Sequence, residues 1–175
     1  SGPSMTKSPM RVPGLSVSQA TSAMVGNALG ADDVREARQV TRASVRLCVA
    51  LMSTLGITFL AFAGPIVRVF DVTPGTPLFD HSVLWVRLLG FGMPIVGVHI
   101  ALIGMLRGAG ATGTSLRINA LTSTLQVPAS YLLGFVVGWG PFGVWLAFPL
   151  SFVLRAALGY AAYRRGGWAR TGVRL

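Results

Sequence analysis

The stretch INALTSTLQVPASYLLGFVVGWGPFGVWLAFPLSFVL, residues 118–154, contains no charged side chain. A second stretch, LCVALMSTLGITFLAFAGPIV at residues 47–67, contains none either. A helix that crosses a bilayer needs about 20 predominantly apolar residues. The second stretch is one span long. The first is nearly long enough for two, with Gly138-Trp-Gly-Pro141 as the turn between them. Together they specify an all-α fold, a multi-pass transmembrane helical bundle.

Composition agrees. Of 175 residues, 52% are hydrophobic and 11% charged, against roughly 25% charged in a soluble domain. So few polar residues would leave a soluble surface uncovered. The fifteen Lys and Arg against five Asp and Glu give +10. The arginines sit at segment ends, with no basic patch interleaved with aromatics, so nucleic acid is not the expected partner. A lipid bilayer is, with basic loops lying against anionic headgroups. The lone Cys48 rules out an internal disulfide and a cysteine-only metal site; it reads as a small residue facing lipid or a neighbouring helix.

Outward from these runs the chain divides as follows. Residues 1–13, rich in Ser, Pro and Gly, read as a disordered N-terminal segment. Residues 14–163 form the membrane part, and 164–175 a basic tail. Segment one, Leu15 to Leu29, is short for a span and rich in small and hydroxyl residues. Such residues let membrane helices approach closely, and Gly30 is expected to end it. Segment two runs from Asp33 to about Arg46, with Asp33 and Glu36 at the spacing of a capping box. Its Arg35, Arg38, Arg42 and Arg46 share one helical face. That face is either solvated or that of a helix lying in the interface, its arginines meeting headgroups.

Segment three is Leu47 to about Phe70, segment four Ser82 to Leu106, segment five Ile118 to Val137, and segment six Phe142 to Tyr163. Loops on one side, 31–46, 107–117 and 164–175, hold ten arginines; those on the other, 71–81 and 138–141, hold no Lys or Arg. Positive charge stays inside. The predicted location is therefore a cell inner (plasma) membrane, spanned four times by full helices, with the C-terminus cytoplasmic.

Three motifs in order resemble a known family. GLSVSQATSAMVGNALG at 14–30, followed by ADDVREAR at 31–38, resembles a small-residue helix and Ala-Arg connector of the MATE (multidrug and toxic compound extrusion) transporters. LRGAG at 106–110 resembles the exit of that family's fourth repeat helix, and FGVWLA at 142–147 the start of a lobe's last helix. The resemblance covers nearly everything from Gly14 onward. It implies about five helices of a six-helix MATE lobe, helices two to six. The chain's end after segment six suggests the C-terminal lobe, so the chain looks like under half of a transporter. The implied mechanism is antiport efflux: two lobes rock about a central cavity and exchange an amphiphilic, often cationic small-molecule substrate for H⁺ or Na⁺. A lipid-linked precursor flippase of the same superfamily is a related reading.

The sequence departs from the family in three places. Ala111 stands where an acid usually follows Arg-Gly-Ala-Gly, and Asn27 where Gln is common. All five acids, Asp32, Asp33, Glu36, Asp71 and Asp80, lie outside the spans. Ion-coupled members use membrane-embedded carboxylates, so the coupling ion is expected in a lobe this chain lacks. A transport-inactive remnant or a partner-dependent subunit is the alternative.

Intramembrane polar residues are the default functional candidates, because lipid penalises them. His99 in segment four is a candidate to line a cavity or to titrate, and equally one for an interhelical hydrogen bond. Asn119 and Gln126, seven apart, share a face of segment five with Tyr131 nearby; they are candidates to line a cavity or bind substrate, or to pack. Gly26, Gly30, Gly108 and Gly110 are expected to serve close packing or turns, and Pro94 and Pro128 to kink their helices. Arg87 and Arg155 are expected to snorkel toward the interfaces. Trp85, Trp139, Trp145 and Trp168 read as interfacial belt residues. No nucleophile, metal cluster or phosphate-binding loop is legible. Asp32-Asp33 reads as capping rather than as a metal pair. Neither enzymatic activity nor a cofactor is expected.

Overall fold

A computed structural model describes residues 13–170. The expected disordered segment thus lies, but for Pro13, outside the described residues, as does the end of the basic tail. The described chain is helical: α1 (Pro13–Gly30), α2 (Val34–Val69), α3 (Pro77–Gly108), α4 (Thr112–Tyr131) with a π turn at Leu132–Val136, and α5 (Gly140–Arg165), followed by a 3₁₀ turn at Gly167–Arg170. Three of the helices, α2, α3 and α5, are long and apolar enough to cross a membrane. α1 and α4 are not among them, although α4 was expected to be a full span. Its first half carries Thr112, Thr114, Ser115, Arg117 and Asn119, and its most apolar stretch, Leu132–Val136, belongs to the π turn.

Helix ends follow local chemistry. The Asp33 carboxylate accepts from the Glu36 amide at 2.8 Å and caps α2. Thr76 caps α3 in the same way, accepting from the Phe79 amide at 3.3 Å, with Pro77 in the first turn where its missing N–H costs nothing. α3 closes as a Schellman turn. Gly110 is left-handed at φ 72°, its amide donates to the Arg107 carbonyl, and the Ala111 amide donates to that of Leu106. α1 closes the same way, but Asp32, at φ 58°, takes the left-handed place expected of Gly30. The Asp32 and Asp33 amides donate to the Leu29 and Ala28 carbonyls, and Asp tolerates this conformation better than most residues.

The expected segments two and three are one helix. No interruption separates Arg46 from Leu47; the non-helical residue is Phe62, three before Pro65. Proline's clash with the preceding turn explains its position. At 36 residues α2 is about 54 Å long, well beyond a hydrocarbon core of about 30 Å. The arginine-bearing turns therefore continue the span out of the bilayer instead of lying along its surface. α3 contains Pro94 and α4 contains Pro128, and both continue as helices past them. The π turn begins four residues after Pro128, and its Val137 amide donates to the Leu132 carbonyl.

α3 is the central helix, packed against α1, α2 and α5, while α4 packs mainly on α5. Glycines mark its faces at a period of seven. A Cβ added at Gly90 would lie 2.9 Å from the Gly56 carbonyl oxygen, and one at Gly97 would lie 2.7 Å from that of Cys48. At Gly104 it would lie 2.7 Å from the Ser18 carbonyl oxygen. Gly108 abuts Ser22, and Gly26 faces the Gly108 carbonyl. These pairings make α2 antiparallel to α3 and α1 parallel to it. Lipid supplies no hydrophobic force between helices, so close backbone approach through small residues holds such an interface. The buried cluster beside it comprises Val25, Ala28, Leu102, Ile103, Met105, Leu106 and Ile118, with Trp168 closing one end.

Candidate functional site

The antiparallel pair α4–α5 meets α3 at a polar cluster. His99 on α3 is buried, 7% exposed, and its polar neighbours are Asn119 of α4 and Arg155 of α5. The Arg155 guanidinium reaches from α5 across to α4, donating from Nη2 to the Ser123 hydroxyl at 2.9 Å. Phe152 fills the space between. Its ring lies edge-on to His99 at 5.7 Å and beneath the Arg155 guanidinium at 4.9 Å. His99 Nδ1 and Arg155 Nε are buried without a hydrogen-bond partner among the described residues. Asn119 and Arg155 are half-buried and Ser123 is exposed, so the cluster is closed behind by α3 and open in front.

The structure thus brings His99 and Asn119 together and leaves the other two candidates apart. Gln126 lies seven residues further along α4, half-buried, its backbone carbonyl accepting from the Ser130 hydroxyl at 2.9 Å. Tyr131 is 62% exposed and stacked on Phe135 at 5.3 Å. Arg155, expected to snorkel, does not. Its Cα is ten residues from the end of α5, and Ser123 is eleven from the start of α4 at the same end of the bundle, so both lie about 15 Å deep. The side chain runs level between helices, not outward. No sequence signal separated it from Arg87, which is exposed; only the neighbouring Ser123 does.

Several other intrahelical hydroxyls are already committed. Thr21, Thr41 and Thr122 each donate to the carbonyl four residues earlier, at 2.7, 2.8 and 2.7 Å. This common local pattern relieves the hydroxyl without a partner helix.

Two aromatic groups lie elsewhere. His81, Trp85, Trp145 and Phe148 form edge and tilted contacts at the start of α3 and α5. Trp168, expected in a belt, is buried at 3% exposure. It stacks on Tyr163 at 5.9 Å and donates from Nε1 to the Tyr163 carbonyl at 2.9 Å, with the Arg38 guanidinium 6.0 Å from its ring. The left-handed Gly166 turns the chain back so that Trp168 reaches this site. Arg35, Arg38, Arg42 and Arg46 are all exposed.

A separate apolar groove of about 710 Å³ runs between α1 and α2, lined by Ser16, Val17, Ala20, Thr21, Met24, Gln39, Val40, Ala43, Ser44 and Leu47. None of the four residues singled out from the sequence as cavity-lining takes part in it. The small residues of α1 were read as packing surface; Ser18, Ser22 and Gly26 do pack on α3, while Ser16 and Ala20 also line this groove. Among the described residues no group of His, Cys, Asp and Glu is placed to hold a metal ion.

The MatE family matches residues 4–132. The chain is 23% identical over 163 residues to a probable multidrug resistance protein NorM of Thermotoga maritima, covering 93% of this chain and 35% of that protein. It is 28% identical over 148 residues to the probable NorM of Rhodopseudomonas palustris, covering 82% of this chain and 31% of that one. In fold it is similar to an inward-facing multidrug resistance MATE family transporter of the MOP superfamily, with TM-score 0.78 and 23% identity over 85% of this chain and 33% of that one. It is equally similar to a eukaryotic MATE transporter, with TM-score 0.78 and 21% identity over 91% and 35%. The chain spans about a third of the length of the curated relatives it matches.

Proposed function

This chain belongs to the MatE family, and from that premise we propose that it forms most of one lobe of an exporter. In that lobe α1 to α5 are the second to sixth helices. The groove between α1 and α2 supports this reading most. Its volume of about 710 Å³ is within the range of sites that enclose a drug-sized compound, and its walls are apolar with few hydroxyls and one amide. A whole transporter would rock two such lobes about a central cavity and exchange an amphiphilic compound for H⁺ or Na⁺. The basic ends face the cytoplasm of an inner membrane, with Arg35, Arg38, Arg42 and Arg46 near anionic headgroups.

A second reading is favoured by one observation. All five carboxylates lie at or beside helix ends, in the turns at Asp32, Asp33 and Asp71 or in the first turns at Glu36 and Asp80. An embedded carboxylate is the group that binds a coupling cation in a membrane. The coupling site therefore lies on a partner lobe, and these residues alone do not transport.

Ethidium efflux from cells tests both. Cells making the whole gene product should clear the dye, and cells making only these 175 residues should retain it although the chain inserts. Efflux by these residues alone would remove the need for a partner lobe. Retention by the whole product would remove the exporter reading for such cations.

A further inference from the structure

Arg155 poses a problem that packing does not solve. A guanidinium about 15 Å from either helix end it neighbours is costly in a membrane protein unless something pairs with it. It does not escape toward the interface, since its contact, Ser123, lies at its own depth. Every acid of the chain lies at or beside a helix end, none deeper than a first turn. The Ser123 hydroxyl and the Phe152 ring are neutral partners, and the Nε of Arg155 and the Nδ1 of His99 remain without hydrogen-bond partners among the described residues.

We propose that His99, Asn119, Ser123 and Arg155 form a binding site for an anionic group, a phosphate or carboxylate carried on an apolar body. Each residue supplies what such a group needs. Arg155 offers a planar fork of donors that matches a phosphate or carboxylate. Ser123 and the Asn119 amide offer neutral donors on the open side. His99, buried on α3, offers a ring N–H at the back, with the proton on whichever nitrogen faces the anion. Phe152 lies between the His99 ring and the Arg155 guanidinium and supplies the apolar floor. An anion here neutralises the embedded guanidinium of Arg155. This site recognises the opposite charge from the cations commonly associated with drug export.

As a substrate site it rests on the exporter reading above; as a binding site it is tested apart from it. The protein as the cell makes it is placed in phosphatidylcholine nanodiscs and titrated calorimetrically with decyl phosphate and with decyltrimethylammonium, which share a tail and differ in head charge. Decyl phosphate should bind the more tightly. Arg155→Gln should weaken it about tenfold, as expected for loss of a charged hydrogen bond, and leave the ammonium compound unchanged. Arg155→Lys, which keeps the charge and loses the fork, should fall between the two and guards against misfolding of the Gln variant, as does Ser123→Ala with a smaller loss. Repeating the titration with half the lipid as phosphatidylglycerol separates the sources. Competition by that lipid assigns the site to a headgroup, and its absence to a transported compound. Equal binding of the two head groups, or equal decyl phosphate binding by wild type and both Arg155 variants, overturns the site. Loss of ethidium efflux with anion binding intact would overturn the exporter reading alone.

Discussion

The two sides of α3 are built on opposite terms. Toward α1 and α2 it presents Gly90, Gly97, Gly104 and Gly108, and carbonyl oxygens of the neighbouring helices come so close that no side chain fits. Toward α4 and α5 it presents His99, and the space is filled by Phe152, Asn119 and Arg155, with polar atoms left unpartnered. The first side has one solution, because backbone cannot move aside as a side chain can. The second retains unused hydrogen-bonding capacity. In a membrane protein the first arrangement gives cohesion, and the second is where polarity has been kept despite its cost.

The contrast breaks first, and most severely, at Gly97. A valine there would set its Cβ 2.7 Å from the Cys48 carbonyl oxygen and push α2 away from α3. We expect Gly97→Val to cost about 3 kcal/mol, the upper end of overpacking penalties, seen as a large fall in melting temperature of the purified protein. A melting temperature within error of wild type would mean that α2 and α3 are not so close.

On the other side, Arg155→Met should behave oppositely. Met keeps much of the aliphatic stem against Phe152 and removes an embedded charge, so stability should be unchanged or rise by about 1 kcal/mol, as when buried ionic groups give way to apolar ones. A loss comparable to that of Gly97→Val would show that Arg155 holds the fold and would erase the distinction between the two sides. The smallest effect is expected at Gly92, on the α3 face toward α5. An added Cβ there meets Pro149 at 3.5 Å, ordinary contact, so Gly92→Ala should change stability by less than about 0.5 kcal/mol. The same thermal denaturation series reads all three. A drop at Gly92 like that at Gly97 would mean that glycine matters here for reasons other than approach.

Much of this was legible before the structure, and the misses share a cause. The apolar runs, the turn at residues 138–141, the Asp33 cap and the family resemblance all rest on local chemistry or on partition between water and lipid. His99 and Asn119 were visible as polar residues in apolar runs, and the structure places them together. Gln126 and Tyr131 carried the same signal, yet lie further along α4. Helical spacing says which residues share a face and nothing about which helix that face meets. The division at Arg46 was wrong for a related reason: a change from polar to apolar side chains marks where a helix enters the bilayer, not where it ends.

Hydropathy, charge placement and capping residues are properties of short stretches and of the solvent around them. The amino-acid sequence was therefore enough to establish a helical membrane protein, its main segments and the charge difference between its two ends. Which glycine meets which carbonyl, that Arg155 turns inward to Ser123, that Trp168 is buried instead of lying in a belt, and that a groove opens between α1 and α2 depend on the relative placement of whole helices. Inside a bilayer every face of an apolar helix is equally acceptable to the lipid, so only the shapes of the neighbouring helices choose among them.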